Sequence, residues 1–118
     1  MSAGPVTLYG LKNCDTCRKA LAALEASDRE VAFVDIREEA DLDRLLPAWL
    51  KAVGAERLVN RRSTTWRTLT DEDKAGALGS SAETILKAHP TLIKRPVIDT
   101  GAGILVGWDS GTQQALAQ

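Results

Sequence analysis

Val6-Thr-Leu-Tyr-Gly10 runs through Leu11-Lys-Asn-Cys14-Asp-Thr-Cys17 into Arg18-Lys-Ala-Leu-Ala-Ala-Leu24, and the reading of this stretch decides the fold. The first segment is β-branched and aromatic and ends at a glycine, which predicts a strand. From Asp15 to Ala26 the period changes. Cys17, Ala20, Leu21 and Leu24 fall at i, i+3, i+4 and i+7, one face of a helix. Asn13 and Asp15 stand at its start, where capping side chains belong. Two cysteines therefore lie where a strand gives way to a helix.

Working outward, Val31 to Ile36 predicts a second strand, so the opening reads strand–helix–strand, a unit that favours a parallel pair. Leu42, Leu45, Leu46, Trp49, Leu50 and Val53 keep helical spacing up to Gly54. Pro47 falls within that pattern and is expected near the first turn, because deeper in a helix it would kink it. Asn60-Arg-Arg-Ser-Thr-Thr-Trp66 reads as an ordered polar loop. Short helices are expected around Asp71 to Ala77 and Ser81 to Ala88, the second closed by His89-Pro90. Pro96-Val-Ile-Asp99 and Ile104-Leu-Val106, joined by Thr100-Gly-Ala-Gly103, predict an antiparallel hairpin. A last helix is expected from Asp109 to Leu116. The fold class is thus α/β: a thioredoxin-like fold with a four-stranded mixed sheet, β-α-β then β-β-α, and an all-α insertion between strands 2 and 3. The expected organisation is one domain over 1–118, with the insertion at approximately 40–90.

The chain has 118 residues, enough for one hydrophobic core. Its formal charge of −1 excludes the large basic surplus of a general nucleic-acid binder, so no direct nucleic-acid partner is expected. No apolar run approaches the roughly 20 residues that span a bilayer, and no membrane partner is expected. Met1 to Pro5 lacks the basic and long apolar regions of a secretory signal, which points to the cytoplasm, and a monomer is expected. In that compartment thiols stay reduced, and a bridge between cysteines three apart would remove little unfolded-state entropy. A structural disulfide is therefore not the expected role of Cys14 and Cys17.

Thiolate is the reacting form of cysteine, and unpaired N–H groups at a helix start favour it. Cys14 precedes the first turn and is the expected nucleophile. Cys17 lies within the helix on its apolar face and is the expected resolving thiol. Asp15 works against ionisation of Cys14, whereas Lys12 and Arg18 work for it. The alternatives are an inert buried pair, or half of a zinc site that has only His89 left to complete it. No metal is expected. Arg61, Arg62 and Arg95 are candidate anion-binding residues, since guanidinium groups present planar donors to carboxylates and oxyanions. Spacing alone leaves a solvated charged face equally open. Arg95-Pro96 suits a strand start or edge, and general frequencies put cis at about 5–6% of such bonds. Trp49 is expected in the core, Trp66 and Trp108 in a core or a cleft wall, and His89 in a structural role.

Several stretches together resemble the arsenate reductase (ArsC)/Spx family. They are Val6-Thr-Leu-Tyr-Gly-Leu-Lys-Asn-Cys-Asp-Thr-Cys-Arg-Lys-Ala20, His89-Pro-Thr-Leu-Ile-Lys-Arg-Pro96 and Leu105-Val-Gly-Trp108. Leu58-Val-Asn-Arg-Arg-Ser-Thr-Thr-Trp-Arg-Thr-Leu69 is most similar to the YffB-type branch, regarded as glutathione-linked thiol reductases. The resemblance implies a thioredoxin-like fold, Cys14 as nucleophile with Arg95 beside it, and a cis Arg95-Pro96 bond. Asn13, Arg61, Arg62 and Pro96 are the expected substrate-binding residues, Arg62 matching an arginine of that branch. Glutathione is the expected co-substrate, glutaredoxin a further partner, and no bound cofactor is expected. Two departures weigh against arsenate as substrate: Asn60 stands where glutaredoxin-coupled arsenate reductases place an anion-binding arginine, and a second such arginine is missing near Gly107. Cys17 is instead a feature of Spx regulators, which bind the RNA polymerase α subunit. That makes a redox-sensing regulator the third reading, behind thiol–disulfide reductase and arsenate reductase.

Overall fold

The computed structural model describes residues 4–27 and 29–117. Residues 1–3, part of the segment read for a secretory signal, lie outside the described residues. The chain forms two compact units, residues 1–40 with 95–118, and residues 41–94.

The first unit is built on a sheet of four strands: β1 (Val6–Gly10), β2 (Val31–Asp35), β3 (Val97–Asp99) and β4 (Ile104–Val106), in the order β2-β1-β3-β4. β1 runs parallel to β2 and antiparallel to β3, and β3 pairs antiparallel with β4. This mixed sheet, with helix α1 (Asp15–Ala26) after β1 and α7 (Ser110–Ala117) after β4, is the thioredoxin-like arrangement. Cys17, Ala20 and Leu24 form the buried stripe of α1 and share a core with Val6, Leu8, Ile98 and Leu116. Each large aliphatic side chain so buried contributes roughly 1.5–3 kcal/mol.

Local chemistry sets the ends of these elements. β2 stops at Asp35, one residue short of the expected Ile36, because the Asp35 carboxylate accepts from the amides of Arg37 (2.8 Å) and Glu38 (3.0 Å) and bends the chain. Ile36 still donates its N–H to Gly10 (2.9 Å) and is fully buried. The β3–β4 hairpin turns at Gly101, φ 82°, where the Asp99 carboxylate accepts from the Gly101 amide (2.8 Å). Thr112 is buried against Val106, and its amide is capped by Asp109 (2.9 Å).

The second unit is helical: α2 (Leu42–Val53), α3 (Ala55–Leu58), α4 (Thr64–Thr68), α5 (Asp71–Ala77) and α6 (Ala82–Ala88), then a 3-10 turn at Pro90–Leu92. Leu42, Leu45, Leu46 and Trp49 are the buried face of α2, which packs on α6, where Leu86 is fully buried. Gly54, φ 83°, ends α2 in a conformation that only glycine adopts cheaply. Val59 bridges Ile93, flanked by the Asn60 amide on the Leu92 carbonyl (2.8 Å) and the Lys94 amide on the Leu58 carbonyl (2.7 Å).

Two expectations for this unit are corrected. Pro47 is the sixth residue of α2, not part of its first turn, so the helix forgoes the N–H that would reach the Asp43 carbonyl. Burial of the Leu-Trp face outweighs that local loss. The polar stretch from Asn60 to Trp66 is a loop only as far as Ser63. Its hydroxyl accepts from the Trp66 amide (3.1 Å) and so starts α4, a capped helix that apolar periodicity does not reveal.

Candidate active site

The antiparallel register of β1 and β3 matches Thr7 with Asp99, Leu8 with Ile98 and Tyr9 with Val97. Arg95 and Pro96 immediately precede Val97, the partner of Tyr9, so they enter β3 at the end of β1 where the cysteine loop begins. The Arg95–Pro96 peptide bond is cis, as the resemblance implied. The Gly107 N–H donates to the Pro96 carbonyl (2.8 Å), and Gly107 takes φ 86°.

Cys14 is the N-cap residue of α1, with extended backbone angles (φ −97°, ψ 119°). Its amide donates back to the Leu11 carbonyl (3.2 Å), and its carbonyl accepts from Arg18 (3.0 Å). Asn13 and Asp15 were the expected caps, and neither takes that place. Asp15 is the first helical residue and Asn13 stands exposed in the turn before it. The side chain at the cap position is therefore a sulfur, which closes no well-aligned capping bond. The Cys17 amide nonetheless faces it and favours its ionised form.

The half-buried Cys14 is held below the ordinary thiol range. Partial burial is the largest single influence and opposes ionisation. It is outweighed together by the Cys17 amide and thiol, a hydrogen bond donated by the Arg95 guanidinium, and the charge of Arg95. The balance of Lys12 and Arg18 against Asp15 turns out differently from the expectation. Arg18 pairs with Asp15 at 2.6 Å on the exposed face of the helix, and the cation that bears on the sulfur is Arg95.

Cys17 is fully buried, and its pKa is pushed up to about 12. Burial is the main cause, reinforced by the neighbouring Cys14 and opposed by a hydrogen bond from the Leu11 backbone and by the Arg95 charge. A β-carbon on Gly10 would stand 2.6 Å from the Cys17 sulfur and 3.2 Å from its β-carbon, so this glycine makes the room the second thiol occupies. Both cysteines are free thiols. One unit thus brings together Cys14, Cys17, Arg95 and Pro96. The role of Gly10 went unread in the sequence, although a glycine closing a strand two turns of chain before a buried cysteine is a signal of close approach.

Arg61, Arg62 and Asn60 belong to the helical unit. Both arginines are exposed in a turn closed by the Asn60 carboxamide, which accepts from the Arg62 amide (3.0 Å). Trp49 is fully buried, while Trp66 and Trp108 are half-buried. Lys74 lies over the Trp66 ring, 5.8 Å from its centre, and Trp108 packs on the core beneath α1. His89 is exposed beyond α6, and among the described residues no cluster could hold a metal ion. No helix among them is long and apolar enough to cross a membrane.

The model of the ArsC family matches residues 9–116. The chain is 40% identical to an uncharacterized protein of Haemophilus influenzae, over 93% of its own length and 96% of the relative's. It is 28% identical to the global transcriptional regulator Spx of Bacillus subtilis, over 88% and 80% of the two chains. Among solved structures, one described as a YffB protein superposes with TM-score 0.83 at 32% identity, covering 96% of this chain and 99% of the other. An arsenate reductase (ArsC) related protein of Brucella melitensis superposes with TM-score 0.77 at 34% identity, covering 100% and 98%.

Proposed function

The chain belongs to the ArsC family and has its arsenate reductase-like thiol-oxidoreductase fold, and from that premise we propose that it is a thiol–disulfide reductase using glutathione, with Cys14 as nucleophile and Cys17 as resolving thiol. The observation that carries this reading is the opposite treatment of the two sulfurs: Cys14 is favoured as a thiolate beside Arg95, and Cys17 is kept as a thiol.

The Cys14 thiolate attacks one sulfur of a substrate disulfide. A bond forms between the two sulfurs, the substrate's S–S bond breaks, and the departing thiolate takes a proton from solvent. Cys14 is then neutral, so part of what holds the Cys17 proton in place is gone. Cys17 gives up that proton and attacks the Cys14 sulfur, releasing the second substrate thiol and closing Cys14–Cys17. Two glutathione molecules reduce this bond in turn and leave as glutathione disulfide. We assign Asn13, next to Cys14 in the chain, and Pro96, next to Arg95, to binding the substrate, and Arg61 and Arg62 of the helical unit are proposed as donors to glutathione carboxylates. A glutaredoxin could stand in for the second glutathione. The setting suited to this cycle is the cytoplasm.

Arsenate is the weaker substrate. The Asn60 side chain is occupied in its own turn, and the chain at Gly107 is a buried glycine bonded to Pro96, so neither position offers a guanidinium. The similarity to Spx favours one other reading, a redox-sensing protein that binds the RNA polymerase α subunit. Binding to that subunit in one redox state only would establish it.

The reductase reading is tested by incubating the reduced protein with glutathione disulfide and mapping the products by mass spectrometry. Glutathione on Cys14, followed by a Cys14–Cys17 disulfide, is expected. Two cysteines left unmodified would defeat the reading.

A further inference from the structure

A cleft of about 260 Å³ opens on the first unit between α1 and β2, lined by Leu21 and Phe33 and rimmed by Lys12 and Arg18. Two of its lining residues flank the nucleophile along the chain. Lys12 is two residues before Cys14, and Arg18 donates its amide to the Cys14 carbonyl (3.0 Å). Leu21 and Phe33 are half-buried and pack, like Cys14, against the core beneath α1. Phe33 is the register partner of Leu8 across the parallel pair, which sets it on the face that α1 covers. The floor is hydrocarbon, the rim cationic. Arg18 is shared with Asp15 at 2.6 Å, whereas among the described residues Lys12 joins no ion pair, so Lys12 supplies the uncompensated charge.

We propose that this cleft is a specificity subsite for a peptide disulfide: it takes an apolar side chain next to the reacting cysteine and holds a neighbouring carboxylate at Lys12. The inference rests on Cys14 being the nucleophile. The space suits one leucine- or phenylalanine-sized side chain, smaller than the roughly 300–1,000 Å³ of sites for drug-sized ligands. Glutathione fits it poorly as the preferred substrate, since its cysteine is flanked by γ-glutamyl and glycyl groups with nothing apolar to cover the floor. Glutathione then serves as the reductant, and an acidic, apolar peptide carries the disulfide that is reduced.

The test uses three tetrapeptides, Glu-Leu-Cys-Gly, Glu-Gly-Cys-Gly and Lys-Leu-Cys-Gly, each with its cysteine in a mixed disulfide with 5-thio-2-nitrobenzoate. Attack by Cys14 joins its sulfur to the peptide sulfur and breaks the mixed disulfide, and the aromatic thiolate leaves with the electron pair as a coloured product. Rates are divided by those measured with mercaptoethanol, which removes the peptides' own reactivity. The leucine peptide is expected to react roughly tenfold faster than its glycine counterpart. The Glu peptide should outpace the Lys peptide by about threefold at low salt, and the gap should close as salt is raised. Leu21→Gln and, separately, Phe33→Gln should collapse the leucine preference, and Lys12→Glu should invert the charge preference. Rates within twofold for all three peptides, or preferences unchanged in the variants, would overturn the subsite while leaving Cys14 as nucleophile. If the protein released no aromatic thiolate even from the symmetric aromatic disulfide, the reductase reading would fail and this inference with it.

Discussion

The sulfur of Cys17 lies 2.6 Å from where a β-carbon would stand on Gly10, and real β-carbons essentially never come so close to another atom. The end of the first strand and the first turn of α1 are therefore fitted to each other through one absent methyl group. The buried thiol sits in the gap that the glycine leaves.

Gly10→Ala should destabilise the fold by about 1–3 kcal/mol, because the displaced sulfur is fully buried and has no room to retreat. Replacing Cys17 by Ala in the same chain should recover much of that loss, since the nearest remaining atoms would be at 3.2 and 3.3 Å. A double-mutant cycle by urea denaturation measures the coupling. A coupling near zero would mean that the two residues do not share the space described.

Thiol labelling against pH should separate the two cysteines. Cys14 should react with a midpoint below that of an ordinary thiol, and Cys17 should stay unreactive in the folded protein across the same range. Arg95→Met should move the Cys14 midpoint upward and slow its labelling at neutral pH by several-fold. An unmoved midpoint would show that Arg95 does not act on the sulfur.

The raised Cys17 pKa also has a signature in stability. A group whose pKa is higher in the folded than in the unfolded chain adds stability that is complete below the unfolded value and declines as pH rises towards the folded one. For Cys17 that window runs from the ordinary 9.0 to about 12, with a slope of at most about 1.4 kcal/mol per pH unit. Cys17→Ala should flatten the alkaline limb of the stability curve. The same limb in both proteins would contradict the assignment.

Cys17→Ser should stop the cycle after its first step, leaving a persistent mixed disulfide between Cys14 and glutathione. Cys14→Ser should take up no glutathione at all. Peptide mapping distinguishes them, and uptake by Cys14→Ser would move the nucleophile to Cys17.

Pro47→Ala should stabilise the protein by roughly 1–2 kcal/mol, as it restores an N–H for the Asp43 carbonyl at an exposed position in α2. Part of the helix gain is offset because proline also restricts the unfolded chain. A lower denaturation midpoint in Pro47→Ala would show that the proline supports a geometry an alanine cannot.

What could be read along the chain was what neighbouring residues decide among themselves. The β-branched and aromatic run of Val6 to Tyr9 marked a strand, and the stripe of Cys17, Ala20 and Leu24 and the Leu-Trp face of α2 record burial through a fixed period, so the strands and the main helices were legible in order. Ser63 starts α4 through a hydroxyl-to-amide bond, and Asp35 ends β2 through its own carboxylate. Neither act leaves a periodic trace, and both boundaries were missed. The arrangement at Cys14 belongs to the tertiary structure. The residue whose charge reaches that sulfur is Arg95, distant in sequence and delivered by the antiparallel register of β3 on β1, whereas the nearer Arg18 is taken up by Asp15. Electrostatic and steric effects fall off with distance through space, not along the chain, so the sequence alone determined where a reactive thiol could stand, and only the folded sheet decided which cation and which glycine would face it.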